Sequence, residues 1–316
     1  MNTVKHWLLY TLLSLLAGGA AIAEFNLDFH WLHDFQTAKK LYSDGDYVGA
    51  VKALDEVSKT APNEKSKFEA QSLAALAMAQ TGDFEAAMEL ATEIKDDNYR
   101  RYTELMVLAI QEASAVIVER FAEEQIGSWP EEIRAQGFQT RGEAYRSVDK
   151  REEAIEDFEL TVAADGASTS VQLTNLSRIG DLHSELEQKE QATAAFQRII
   201  DLCGDDPPSV KGSHSIYPRA LLAIASMRTD EGEYAKAIEV LEPYDPKWSF
   251  SMGLTVLQAR GDIYRKWNKP ESAIKVYQEG LEFAEQHKAH SRAAKFIESF
   301  NESITELNGE PTPATN

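Results

Sequence analysis

The stretch Gly261-Asp262-Ile263-Tyr264-Arg265-Lys266-Trp267-Asn268-Lys269-Pro270-Glu271-Ser272-Ala273-Ile274-Lys275-Val276-Tyr277 decides the fold. A small residue is followed three places later by a large one, then by a polar break at Asn268–Pro270. An alanine stands twelve places after the small residue, and a second large side chain four places further on. Side chains three and four apart share a helical face. The stretch therefore predicts a helix whose small residue admits another backbone, a turn, and a second helix opened by an alanine at the point of closest approach.

The same template recurs along the chain. The small places are Ala38, Ala75, Gly142, Gly180, Ala225 and Gly261, with Leu41, Met78, Tyr145, His183, Arg228 and Tyr264 three residues on. The alanines are Ala50, Ala87, Ala154, Ala192, Ala237 and Ala273, and Leu54, Ala91, Phe158, Phe196, Leu241 and Tyr277 follow them. The turns read Gly45-Asp46-Tyr47, Gly82-Asp83-Phe84 and Gly232-Glu233-Tyr234 in three copies, where glycine ends the first helix in a left-handed conformation. Asp149-Lys150-Arg151, Glu187-Gln188-Lys189 and Asn268-Lys269-Pro270 are weaker but still polar stops.

These units resemble tetratricopeptide repeats, helix-turn-helix modules of about 34 residues. The resemblance runs from Phe35 to Gln286 and implies an all-α, right-handed superhelical solenoid of antiparallel helix pairs, with six recognisable repeats. No copy has the early tryptophan of the family; Asp34, Gln71, Phe138, Leu176, Leu221 and Leu257 stand there, and only Pro62 keeps the closing proline. Ala87 and Ala154 are separated by about two repeat lengths. The stretch 99–132, with its apolar residues Leu105, Met106, Leu108, Ile110, Val116, Ile117, Val118 and Phe121, is thus expected to form a seventh, degenerate pair; the alternative is one long kinked helix. Trp129-Pro130 opens the next element, as proline does at a helix start.

The remaining segments bound the repeat region. Residues 1–23 carry Lys5, an apolar run from Trp7 to Leu16 and an Ala21-Ile22-Ala23 end, the parts of a cleaved secretory signal. An uncleaved membrane anchor is the alternative reading, weakened by Gly18-Gly19. Cleavage after Ala23 implies a periplasmic or secreted chain with no membrane insertion thereafter. Residues 24–34 form an N-terminal segment whose aromatics, with Phe35, cover the first repeat or form a docking patch. Residues 35–286 form the repeat region, with a surplus loop from Cys203 to Ser215. Residues 287–307 are expected to form a capping helix with Ala293, Ile297, Phe300, Ile304 and Leu307 on its apolar stripe, and 308–316 a disordered tail.

The formal net charge is −20, from 52 acidic and 32 basic residues, which argues against nucleic acid and anionic membranes as partners. One cysteine, Cys203, leaves no internal disulfide and is too little for a zinc or redox centre. The sequence has no phosphate-binding glycine loop, nucleophile elbow or zinc-protease motif, so neither an enzyme nor a cofactor is expected. His30/His33 and His287/His290 share helical faces, but two histidines without a third ligand rarely hold a metal. Asn175 and Asn301 fit the glycosylation pattern but fall within predicted helices.

The family resemblance implies a concave groove lined by the first helices of the units, which takes a protein or peptide. By position it assigns to that surface Lys39, Tyr42, Gln139, Glu143, Arg146, Ser177, Asp181, Arg219, Leu222, Gln258, Asp262 and Arg265. The three arginines are cations in an acidic chain, suited to a partner's carboxylates. The lysine and asparagine set with which related repeats clamp acidic chaperone tails is missing: Phe35, Lys39, Ser72, Leu76, Gln139 and Glu143 occupy its places. The expected function is a non-catalytic interaction scaffold of the cell envelope. Its alternatives are an assembly factor for exported proteins, self-association through the repeat ends, and an enzyme built on a helical toroid.

Overall fold

The structure, a computed structural model, describes residues 30–309, so residues 1–23, expected to be a signal, Phe25, Phe29 and the last seven residues lie outside the described residues. Every regular element described is helical. α1 covers 30–43. It is followed by α2 (Tyr47–Lys59), α3 (Glu64–Gln80), α4 (Phe84–Glu93), α5 (Asp97–Ile110), α6 (Ser114–Phe121), α7 (Glu131–Ser147) and α8 (Arg151–Ala163). Then come α9 (Thr169–Glu185), α10 (Lys189–Cys203), α11 (Ser213–Asp230), α12 (Tyr234–Leu241), α13 (Phe250–Lys266), α14 (Pro270–Gln286) and α15 (Ala293–Leu307). The chain divides into two compact units. The N-terminal one runs to Asp157 and takes back 164–166; the C-terminal one holds Phe158–Ala163 and everything from Ala167 on.

The degenerate stretch is a helix pair, α5 with α6, and not one kinked helix. The described residues thus form seven pairs followed by α15, whose Phe300 is fully buried. Residues 30–34 already belong to α1: Trp31 and Phe35 stack at 4.9 Å in the core of the first pair, and Trp31 Nε1 donates to the Val57 carbonyl at 2.8 Å. Trp31 and Phe35 thus both pack in the core of the first pair.

One turn closes all seven pairs. Gly45, Gly82, Glu112, Asp149, Glu187, Gly232 and Asn268 all have positive φ, between 56° and 86°. In each, the amide of the next residue reaches back to the carbonyl five places earlier: Asp46 to Leu41, Asp83 to Met78, Ala113 to Leu108, Lys150 to Tyr145, Gln188 to His183, Glu233 to Arg228 and Lys269 to Tyr264, at 2.8–3.2 Å. The left-handed residue itself donates to the carbonyl three back, as Gly82 does to Ala79. This pair of bonds satisfies carbonyls that the helix end would leave open. In the Gly-Asp copies the following aspartate caps the next helix, Asp46 accepting from Gly49 N at 2.9 Å and Asp83 from Ala86 N at 3.2 Å.

The template residues meet where the two helices of a pair cross. All six template alanines are completely buried. A Cβ on Gly180 would fall 2.6 Å from the Phe196 ring, and one on Gly261 would fall 2.1 Å from Tyr277. In these two copies the large residue at the end of the template packs directly against its small residue. In the α5/α6 pair, Leu105 and Ile117 fill both small places and are buried at 0% and 2% exposure. That is why spacing alone showed only a gap there.

A buried ion pair ties the N-terminal unit across three elements. Arg141 of α7, 8% exposed, makes a two-pronged bond to Asp157, with Nε–Oδ2 at 2.7 Å and Nη2–Oδ1 at 2.8 Å. Its Nη1 donates to the carbonyls of Phe121 and Glu124, which follow from the end of α6. Removing the aspartate strands a guanidinium in the core, so Asp157→Ala is expected to cost about 3–5 kcal/mol. A urea melt followed by circular dichroism measures this as a lowered midpoint for the first transition. By contrast, Glu187→Gly relieves a left-handed non-glycine residue, worth roughly 0.5 kcal/mol after the extra chain entropy of glycine. The expected result is a Tm rise of about 1–2 °C, and an unchanged or lowered Tm would contradict the role given to that turn.

Candidate functional site

In the N-terminal unit the first helices α1, α3, α5 and α7 enclose a groove of about 270 Å³. Its floor is apolar, from Phe35, Leu73, Leu76 and Ile133, with Tyr99 and Tyr102 as walls and Lys39, Glu69, Ser72 and Glu132 at the polar edge. The helix register explains this set. Glu69 and Tyr99 stand six residues before the small place of their copies, Phe35, Ser72 and Tyr102 three before it, and Lys39 and Leu76 one after it. These positions lie on one face of a helix, turned from the face that packs on the second helix.

Most of the polar groups of the groove are bonded to one another. Thr103 donates to the Tyr99 carbonyl at 2.6 Å, so the Ser72 hydroxyl, 2.6 Å from Thr103 Oγ1, supplies the proton of that contact. Tyr102 Oη donates to Gln136 Oε1 at 2.7 Å. Tyr99 Oη donates to Glu132 Oε1 at 2.7 Å, and Glu69 Oε1 lies 3.4 Å from the same hydroxyl. Lys65 Nζ completes the arrangement at 2.7 Å from Glu132. Burial and the two nearby carboxylates push the Tyr99 phenol well above its ordinary range. Burial does the same to Tyr102. The Lys65 ammonium holds the Glu132 carboxyl down at about 2, against the burial that pushes it up. Lys39 sits 5.5 Å from the centre of the Phe35 ring.

Only Lys39 among the twelve residues assigned from the family lines this groove. Tyr42 is half-buried with its ring edge-on to Tyr47 at 5.4 Å. Gln139, Glu143 and Arg146 line a second cleft of about 360 Å³ beside α5 and α6, where Arg146 pairs with Glu143 at 2.9 Å. In the C-terminal unit, Ser177 is buried. Asp181 pairs with Arg219 at 3.2 Å, and Leu222 is half-buried. Asp262 accepts from Tyr277 Oη at 2.6 Å and from Gln258 at 3.3 Å. Arg265 lies between Asp262 and Glu306, while Ser299 reaches Gln258, so side chains of α15 contact this part of the expected surface. Each of the three arginines singled out for a partner's carboxylates already faces a carboxylate of its own chain. Sequence reasoning missed Glu69, Leu73, Tyr99 and Tyr102 because it drew no candidates from α3 or α5, and Glu132 and Ile133 because its candidates on α7 lay further along that helix. Aligning the degenerate copy on its turn at Glu112 would have supplied both tyrosines.

Elsewhere, the side chains with chemical potential are occupied in packing. Burial pushes the Cys203 thiol up to about 11, which suppresses its thiolate. His183 Nδ1 bonds to Gln188 in its turn at 2.6 Å, and the rings of His287 and His290 pack on Phe250. Asn175 is buried, its amide donating to the Val171 carbonyl. Among the described residues, no group of three or more His, Cys, Asp or Glu is placed to hold a metal ion. No described helix is long and apolar enough to cross a membrane.

The depressed Glu132 carboxyl makes the groove edge sensitive to acid. A carboxylate lowered in the folded state stabilises above its unfolded value, near 4.5, and that contribution is lost as pH falls towards 2. Glu132→Gln should therefore flatten the loss of stability between pH 4.5 and 2. Chemical denaturation of both proteins at several pH values checks this; parallel profiles would refute it. The effect should be modest, because the side chain is 37% exposed.

Comparison with known proteins agrees with this helix-pair register. A family model described as tetratricopeptide repeat matches residues 174–206 and 254–287, which cover most of α9/α10 and the α13/α14 pair. No curated protein sequence matches the chain. Among solved structures, the apo form of the quorum sensor NprR from B. thuringiensis is similar over 91% of this chain and 82% of its own, at 12% identity and a TM-score of 0.50. A tetratricopeptide repeat protein from Parabacteroides merdae covers 88% of this chain and 98% of its own, at 13% identity and a TM-score of 0.40. With two stretches matched by the family model and the same turn closing all seven described helix pairs, the chain carries tetratricopeptide repeats at 174–206 and 254–287.

Proposed function

We propose that this protein is a non-catalytic scaffold that holds a segment of another protein in the groove of its N-terminal unit. The observation that carries the reading is the groove itself, an apolar and aromatic floor with a polar edge, presented by four successive first helices. Such a surface buries an apolar anchor while hydrogen-bonding the backbone around it. The signal-like residues 1–23 support an exported chain that works in the cell envelope. The apolar floor also suits an assembly factor that receives unfolded exported chains, and partner number separates the two.

A photo-crosslinking residue in place of Lys39, at the groove edge, should capture a partner in the native host. The same residue in place of Lys52, exposed on α2, should not. Leu76→Glu, which puts a charge on the groove floor, should reduce capture at least about tenfold. One or two captured proteins mean a dedicated scaffold, and many exported ones an assembly factor. Equal capture at both positions would sink the groove. Sequencing the N-terminus of the native protein tests export, with Glu24 as the expected first residue.

A further inference from the structure

Two lysines and two carboxylates stand at the groove edge, but Lys65 bonds to Glu132 and Lys39 lies over the Phe35 ring. This leaves Glu69 outside any ion pair among the described residues and points to the chemistry of the occupant. Two carboxylates, Glu69 and Glu132, converge on one phenol, and Tyr99 has a single proton to give. At 2.7 Å that proton belongs to Glu132, which also takes Lys65. Glu69 is left with a 3.4 Å contact, beyond the usual range for an O–H donor to a carboxylate. Half-buried on α3, Glu69 takes part in no ion pair among the described residues. The other hydroxyls of the groove have no proton to spare, since Ser72, Thr103 and Tyr102 all donate within the protein. An incoming group meets acceptors along this wall, above a floor of Phe35, Leu73 and Leu76.

We propose that the groove takes a basic side chain of its partner, an arginine or lysine next to an apolar residue. Its cationic head is received by Glu69 beside Glu132, and its stem lies along the apolar floor. This rests on the groove reading above and adds the class of side chain that the groove selects. A long basic side chain suits the site twice, because its methylene stem covers apolar surface while its head needs acceptors. A guanidinium supplies donors in the planar fork that a carboxylate accepts. An acidic side chain here would face Glu69 and Glu132, with Lys39 drawn over the Phe35 ring as the cation on offer. The field of a chain with net charge −20 also steers basic segments towards it.

The test is selection of a random dodecapeptide display library on the full chain, followed by titration of the tightest peptides against variants. The expected winners carry arginine or lysine beside a large apolar residue. Replacing that residue by citrulline or norleucine should weaken binding at least about tenfold, and Glu69→Gln at least about fivefold. Glu89→Gln, an exposed carboxylate of α4, should leave binding unchanged and so exclude a general effect of the acidic surface. Winners without a basic residue, indifferent to Glu69→Gln but lost with Leu76→Glu, would overturn this inference and leave the groove standing. Acidic winners that depend on Lys39 would overturn it as well. Winners indifferent to both Glu69→Gln and Leu76→Glu would overturn the inference and the groove reading together.

Discussion

The fold depends on how closely the two helices of a pair approach. A ring packs against a glycine at Gly180/Phe196 and at Gly261/Tyr277, and a methyl group at either glycine would collide with it. In six of the seven described pairs the second helix answers with a fully buried alanine, and in α6 Ile117 takes that place. The short interaxial distance allows a turn of only a few residues, and the same left-handed closure serves every pair. Because the pairs within each unit bury their apolar stripes partly in themselves and partly on one another, the first helices keep a second face for other work.

Departures from the pattern are compensated unevenly. Arg141 stands immediately before Gly142, and its charge is met fifteen residues after that glycine by Asp157. Arg260 stands in the same register before Gly261, but Val276 occupies the place of the aspartate. The buried Nε of Arg260 has no hydrogen-bond partner among the described residues. The same residue type at one register is therefore a tie in one repeat and an unpaired donor in another, and the difference lies in a single position of the following helix. The degenerate pair deviates in the opposite sense, with larger apolar residues in both small places and its turn intact at Glu112. Closure of the helix ends thus tolerates less change than the helix crossing does.

The groove follows from that degenerate pair. Tyr99 and Tyr102 occupy, on α5, the positions that Glu69 and Ser72 occupy on α3, and together they give the groove both its aromatic walls and its hydroxyls. A strict repeat would have offered the same side chains at every step. Divergence makes one part of the surface unlike the rest, with an apolar floor next to a carboxylate wall. In the C-terminal unit the corresponding polar residues are engaged with one another or with side chains of α15, as Asp181 is with Arg219 and Arg265 with Glu306.

The helix pairs, their register, the glycine turns and the capping helix were legible in the sequence because they rest on contacts three, four, twelve and sixteen residues apart. Local spacing dictates such contacts: a small residue, a break and an alanine at fixed separation leave the two helices little other way to meet. What sequence spacing did not disclose is which side chains are free. Arg146, Arg219 and Arg265 read as available cations, yet each lies beside a carboxylate of its own chain, Glu143, Asp181 or Glu306. Ser177 reads as a surface residue and is buried. Glu69, Tyr99 and Glu132 come from three helices and meet at one hydroxyl, and no spacing within one repeat specifies that meeting. Tertiary packing decides it, because the partners of a polar group are set by distances across helices, whereas helix pairing is set by the period of the chain itself.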